Sequence, residues 1–208
     1  MVAELITIVD YGTSNLGSMR NMLKKIGVRS EIASTPEAVL SAGKIIIPGV
    51  GAFDAGMRKL QQSGLIEALN HKALVEKVPI LGVCLGMQLM TEGSEEGELP
   101  GLGWVSARTV RFDQKSNPSL RVPHMGWNLV RAVKDAPLAN GAKEDARFYF
   151  AHSYFVSPGN RDDVVLEATY GNQNFAAAFQ KDNIMGAQFH PEKSHRYGIA
   201  FLRNFVEL

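Results

Sequence analysis

Val78-Pro79-Ile80-Leu81-Gly82-Val83-Cys84-Leu85-Gly86-Met87-Gln88 decides how this chain is read. It has the form of a buried strand, a tight turn and the start of a helix. The spacing Gly82-x-Cys84-x-Gly86 matches a nucleophile elbow, where flanking glycines leave room for a sharp strand-to-helix turn that lifts the central side chain out of the sheet. Cys84 is the only cysteine. Placed at a helix N-terminus, it would have its thiolate favoured by the helix dipole, with the Leu85 N–H left to hold a developing oxyanion. A core cysteine is the plain alternative, since free cysteine is among the most buried residue types. The paired glycines favour the elbow.

A nucleophilic thiol needs a base, and the base needs an orienting group. Ile184-Met185-Gly186-Ala187-Gln188-Phe189-His190-Pro191-Glu192 is strand-like and ends in an imidazole and a carboxylate two residues apart. Alternate residues of an extended chain share a face, and Pro191 biases His190 toward extended geometry, so Glu192 is expected beside His190. Cys84, His190 and Glu192 thus form a chemically complete set. No metal site is expected, because zincin spacing and a second cysteine are both lacking, although His190, Glu192 and His195 are possible ligand types.

Around these motifs the first half alternates strand and helix. Strands are expected at Leu5 to Val9, Ser30 to Ala33, Lys44 to Ile47 and before Cys84. Helices are expected from Asn15-Leu16 to a stop at Gly27, from Thr35-Pro36-Glu37, and over Phe53 to Leu60 and Leu65 to Lys77. That order implies a doubly wound, mostly parallel α/β sheet, with its site beyond the carboxyl ends of the strands, where Pro48-Gly49-Val50-Gly51 and Cys84 fall. From Trp104 on, short alternating stretches at Val105 to Phe112, Asn128 to Val133, Arg147 to Phe150, Val164 to Tyr170 and Phe175 to Phe179 read as antiparallel additions. Tyr197 to Val206 reads as a core-facing helix, and Glu92 to Gly103 as a surface loop.

The 208 residues, 45% hydrophobic and 21% charged, suit one well-cored domain over 1–208. A net charge of +1 with dispersed lysines and arginines argues against nucleic-acid binding. No apolar run reaches the length of a membrane span, and Met1-Val2-Ala3-Glu4-Leu5 lacks the form of a signal peptide, so a cytoplasmic location without a membrane partner is expected. A single cysteine precludes an internal disulfide and fits a reducing compartment.

Gly82 to Gln88 and Phe189-His190-Pro191-Glu192-Lys193-Ser194 resemble the class I, or triad, glutamine amidotransferases. Val9-Asp10-Tyr11-Gly12 with Asn15-Leu16, Pro48 to Phe53, His124-Met125-Gly126-Trp127-Asn128 and Ala151-His152-Ser153-Tyr154 narrow the resemblance to the glutaminase subunits of imidazole glycerol phosphate synthase, end to end. Met87 fits that branch, since anthranilate and carbamoyl-phosphate type amidotransferases usually have histidine there. Thr13-Ser14 departs from its usual small residues.

The resemblance implies a flavodoxin-like class I amidotransferase fold and hydrolysis of the glutamine side-chain amide, with no cofactor. Cys84 would be the nucleophile, His190 the acid and base, and Glu192 the orienting group. Leu85, Val50 and Gly51 would form the oxyanion hole, and Gly49, Gln88, Glu92, His152, Ser153 and Tyr154 would hold glutamine. Gln88 and Glu92 are expected on successive turns of the Cys84 helix. The ammonia would pass to a separate (β/α)8 synthase subunit that makes imidazole glycerol phosphate and aminoimidazole carboxamide ribotide in histidine biosynthesis. Asn15, Trp127 and Lys193 are expected on the heterodimer face, with a core tryptophan as the alternative for Trp127. The Pro48 to Gly51 loop is expected to hold its N–H groups away from the oxyanion position until partner and nucleotide bind. Two rival readings are a stand-alone cysteine hydrolase of γ-glutamyl substrates or peptides, which needs no partner, and a non-catalytic partner-binding subunit, which an intact triad opposes.

Overall fold

The computed structural model describes residues 5–13, 16–142 and 145–208. In the first half, β1 (Leu5–Val9), β2 (Arg29–Ala33), β3 (Ile45–Gly49) and β4 (Ile80–Cys84) alternate with α1 (Leu16–Lys25), α2 (Pro36–Leu40), α3 (Phe53–Gln62) and α4 (Ile66–Asn70). β3 and β4 are buried at every residue, as near-continuous apolar runs are when a parallel strand is covered on both faces. α1 turns Met19, Met22 and Leu23 inward. It ends in a Schellman turn, with Val28 N–H on the Leu23 carbonyl (3.0 Å), Gly27 N–H on that of Lys24 (3.1 Å), and Gly27 at φ +83°. The Thr35 side chain caps α2 by accepting from Ala38 N–H (3.3 Å), with Pro36 in its first turn.

After β4 come α5 (Leu85–Leu89), β5 (Ala107–Arg111), β6 (His124–Ala132), β7 (Arg147–His152), β8 (Tyr154–Pro158), β9 (Val164–Tyr170), β10 (Gln173–Lys181), β11 (Ile184–Ala187) and α6 (His195–Val206). The main sheet runs β2-β1-β3-β4-β11-β10-β9-β6-β7, and β5 pairs with β8 in a second, two-stranded sheet. β2, β1, β3, β4 and β11 are mutually parallel. The rest joins by antiparallel pairing, beginning with β10 on β11. α1 and α6 pack on one face, while α2 to α5 pack on the other.

The architecture is the expected mixed sheet, with three local differences. β6 begins at His124, four residues before the expected strand, and β8 has no counterpart among the expected strands. The helix expected over Leu65 to Lys77 stops being α-helical at Asn70 and continues as a wider π-type turn over His71–Val75. There Lys72 points inward, with its Nζ on the Leu40 carbonyl (2.9 Å) and on Glu76 Oε2 (2.6 Å), so a buried ammonium is satisfied where periodicity alone predicts a regular helix.

Candidate active site

The β4–α5 junction is an elbow in fact. Cys84 adopts φ 53° and ψ −109°, a region that L-residues rarely occupy. The flanking glycines serve packing. A Cβ on Gly82 would lie 2.6 Å from Gly86 O and Met87 N, and one on Gly86 would lie 1.8 Å from Ile47 O. The strain is therefore borne by Cys84, while the glycines let α5 lie against β3 and β4. α5 is only five residues long, so its dipole is small, and charged and polar side chains do more to set the environment of the sulfur.

His190 follows β11, which is hydrogen-bonded to β4 in parallel register. Its N–H donates to Tyr149 O (2.9 Å), and its carbonyl accepts from Ser194 Oγ (2.6 Å), so its backbone is tied to β7 and to the start of α6. Glu192 reaches it by a route other than the extended one expected. Pro191–Lys193 form a 3-10 turn, and this turn brings Glu192 Oε1 to 2.8 Å from His190 Nδ1. A carboxylate only accepts, so Nδ1 carries a proton and Nε2 is left for Cys84. Burial pushes the His190 imidazolium down, but hydrogen bonds and charge attraction from Cys84 and Glu192 outweigh it and raise the pKa to about 10. The arrangement is a buried row of sulfur, imidazole and carboxylate.

One neighbouring residue escapes the reading by motif. Gln188 Nε2 donates toward Cys84 Sγ (3.8 Å), and its Oε1 accepts from Gln88 Nε2 (3.2 Å). It stands two residues before His190, so the alternation of an extended chain is the signal that could have found it.

A cavity of about 310 Å³ opens at this row, lined by Val50, Gly51, Cys84, Leu85, Gln88, Ser153, Tyr154, His190 and Lys193 among the residues singled out above, together with Glu96, Pro123, Met125 and Ala151. Three expectations change. Glu92 does not line it: α5 ends at Leu89, the face does not continue, and Glu92 Oε1 instead accepts from Ser106 Oγ (3.0 Å). Glu96 lines it in its place, with Oε2 accepting from Phe53 N–H (2.8 Å). Gly49 lies beneath the elbow, where a Cβ would meet Tyr11 OH at 2.4 Å and Leu85 Cβ at 2.9 Å, so its role is close packing. His152 borders the cavity, but its ring nitrogens are both engaged, Nδ1 with Tyr154 O (2.8 Å) and Nε2 with His124 Nδ1 (3.1 Å), leaving none to hold a ligand.

The Val50 N–H is taken by Thr13 O (3.0 Å), and Gly51 has φ +109°. Trp127 is no core residue. It is 47% exposed, in line with Met125 and Leu129 on one face of β6, stacked on His195 (centroids 5.4 Å, 7°) and edge-on to Tyr149 (6.2 Å). Lys193 Nζ stands 5.7 Å from the Tyr149 ring centre. Asn15 lies outside the described residues. Among the described residues, no three His, Cys, Asp or Glu side chains are grouped to hold a metal ion, and no helix is long and apolar enough to cross a membrane.

Comparisons with known proteins agree with this geometry. The family model described as glutamine amidotransferase class-I matches residues 7–208. Imidazole glycerol phosphate synthase subunit HisH 2 of Pseudomonas aeruginosa is 46% identical over 204 residues, 98% of this chain and 100% of that protein. The HisH 2 subunit of Methanococcus maripaludis is 47% identical over 203 residues, 98% of this chain and 99% of that protein. Among solved structures, PurLQS from Thermotoga maritima superposes with a TM-score of 0.73 at 16% identity, covering 99% of this chain and 99% of the matched one, which shows the shared fold. A class-I match over nearly the whole length, on an elbow cysteine backed by a histidine and a glutamate, makes this chain a member of the class I glutamine amidotransferase family.

Proposed function

We propose that this chain is the glutaminase subunit of an imidazole glycerol phosphate synthase. In this reading residues 1–208 are one amidotransferase domain that works in the cytoplasm. It hydrolyses glutamine to glutamate and passes the ammonia to a separate (β/α)8 synthase subunit, which makes imidazole glycerol phosphate and aminoimidazole carboxamide ribotide in histidine biosynthesis. The observation that carries it is the row from the Cys84 thiol through His190 to the Glu192 carboxylate at 2.8 Å, opening onto a cavity at the small end of the range for ligands.

The Cys84 thiolate attacks the amide carbon, and a tetrahedral oxyanion forms. His190 holds its proton until the C–N bond breaks and gives it to the departing ammonia, leaving a glutamyl thioester. Neutral His190 then takes a proton from water, which attacks the thioester and releases glutamate and the thiol. Glu192 holds the ring by Nδ1 and stabilises its charged form in both steps. Glu96 receives the ammonium group of glutamine, and the Ala151 to Tyr154 backbone with Gln88 holds the rest.

Leu85 N–H, the first of α5 and so without a helical acceptor, is one oxyanion donor. The second comes from the Val50–Gly51 segment. With Val50 N–H given to Thr13 O, the oxyanion hole is incomplete, and one missing donor costs about 3 to 4 kcal/mol. This supports low glutaminase activity until partner and nucleotide turn the segment. Docking uses the exposed Met125–Trp127–Leu129 row beside the cavity mouth, with Lys193 and Asn15.

The test compares glutamine-driven and ammonia-driven synthesis with a candidate barrel subunit. Cys84→Ala is expected to abolish only the glutamine-driven reaction. Unchanged glutamine use by that variant, or full glutamine turnover by the isolated native chain, overturns the corresponding part of the proposal.

A further inference from the structure

His124 and His152 are buried imidazoles that no step above uses. Their hydrogen bonds have one permitted direction. Tyr154 O can only accept, so His152 Nδ1 carries the proton (2.8 Å) and its Nε2 is a lone pair. That lone pair must receive His124 Nδ1–H (3.1 Å), which makes His124 Nε2 the acceptor for Asn128 Nδ2 (3.3 Å). The other Asn128 N–H goes to Thr169 O (2.9 Å), which fixes the amide from the far end. A second proton on either ring would set donor against donor. Burial holds both rings neutral, pushing His124 down to about 4 and His152 to about 3.

The chain of bonds ends where glutamine would sit. Tyr154 O accepts from both His152 Nδ1 and Gln88 Nε2 (3.0 Å), and Gln88 continues through Gln188 to the sulfur. His152 thereby bridges the bend at Ser153, the break between β7 and β8 that lines the cavity. The His124 ring is itself stacked between Phe150 (4.7 Å) and Tyr170 (4.0 Å), so the relay is rigid at its centre.

We infer that His124 and His152 are positioning residues for glutamine: the ordered relay from Asn128 through both imidazoles sets the Tyr154 carbonyl, and with it the Ser153 bend and the Gln88 amide. This rests on the glutaminase reading above and deepens it.

The test uses the complex with the barrel subunit. His124→Phe keeps the stack but removes the donor to His152. His124→Asn keeps an amide N–H near the Nδ1 position. For His124→Phe the KM for glutamine is expected to rise about tenfold, the effect of one lost buried hydrogen bond, with kcat changed less than threefold. His124→Asn should recover most of that loss, and ammonia-driven synthesis should stay at the native rate in both. Asn128→Ala, at the half-exposed end of the relay, gives a second reading if His124→Phe does not fold, with KM expected about threefold higher. Native KM in a folded His124→Phe or in Asn128→Ala overturns the inference, as does His124→Asn being as impaired as His124→Phe. Failure of the underlying reading looks different: the native complex itself would show no Cys84-dependent use of glutamine.

Discussion

At position 84 glycine should give a more stable protein than alanine, although both replacements destroy the chemistry. At φ 53° and ψ −109° a residue with a Cβ is strained, by about 1–3 kcal/mol for such sparsely populated conformations. Glycine occupies the region freely, although its extra unfolded-state entropy usually costs about 0.5–1 kcal/mol relative to alanine. The proper reference is Cys84→Ala, which also lacks the sulfur and leaves His190 without that partner, so the loss of the contact cancels. At mid-range values the difference is about 1 kcal/mol in favour of Cys84→Gly, opposite in sign to an ordinary alanine-to-glycine change. For a chain of this size that corresponds to about 2–4 °C in melting temperature. Thermal and urea denaturation of the two variants, both inactive with glutamine, measure it. Cys84→Gly unfolding at or below the temperature of Cys84→Ala would refute the claim that the elbow stores strain.

Stability should peak near neutrality and fall on both sides. Protons bind the unfolded forms of His124 and His152 near pH 6.5 but the folded forms only at about pH 4 and 3, so stability drops as pH falls from about 6.5. The His190 contribution runs the other way, present in full below about pH 6.5 and lost as pH rises through about 10. Urea titrations at several pH values check both limbs. Gly86→Ala, whose Cβ would stand 1.8 Å from a backbone oxygen, should cost more than about 3 kcal/mol or prevent folding. Gly27→Ala has open space but φ +83°, and should cost only about 1–2 kcal/mol by the same denaturation assay. Trp127→Ala should weaken association with the barrel subunit by about 2 kcal/mol, roughly thirtyfold in Kd, measured calorimetrically with folding checked by circular dichroism.

Glu92 and Glu96 mark where reading by periodicity stops. Helical period carries a face two turns beyond Cys84, but α5 closes at Leu89 and the chain turns away, with Glu92 N–H on Ala107 O (3.0 Å). Glu96 sits in an acidic run that by composition reads as a solvated loop. It reaches the cavity because Phe53 N–H at the start of α3 and the Asp54 carboxylate, which accepts from Glu98 and Leu99 N–H, fasten that loop to a helix distant in sequence.

The linear chain determined the elements whose information is local: the all-apolar β3 and β4, the Gly27 stop, and the elbow with its one possible nucleophile, since steric room and hydrophobic period are properties of neighbouring residues. Tertiary structure alone decided that Cys84 carries the strain, that Val50 N–H belongs to Thr13, and that both ring nitrogens of His152 are engaged within the protein. The reason is that a hydrogen-bonding group is claimed by whichever partner lies closest in space. For buried polar atoms that partner here comes from a strand or loop tens of residues away, which no period or spacing encodes.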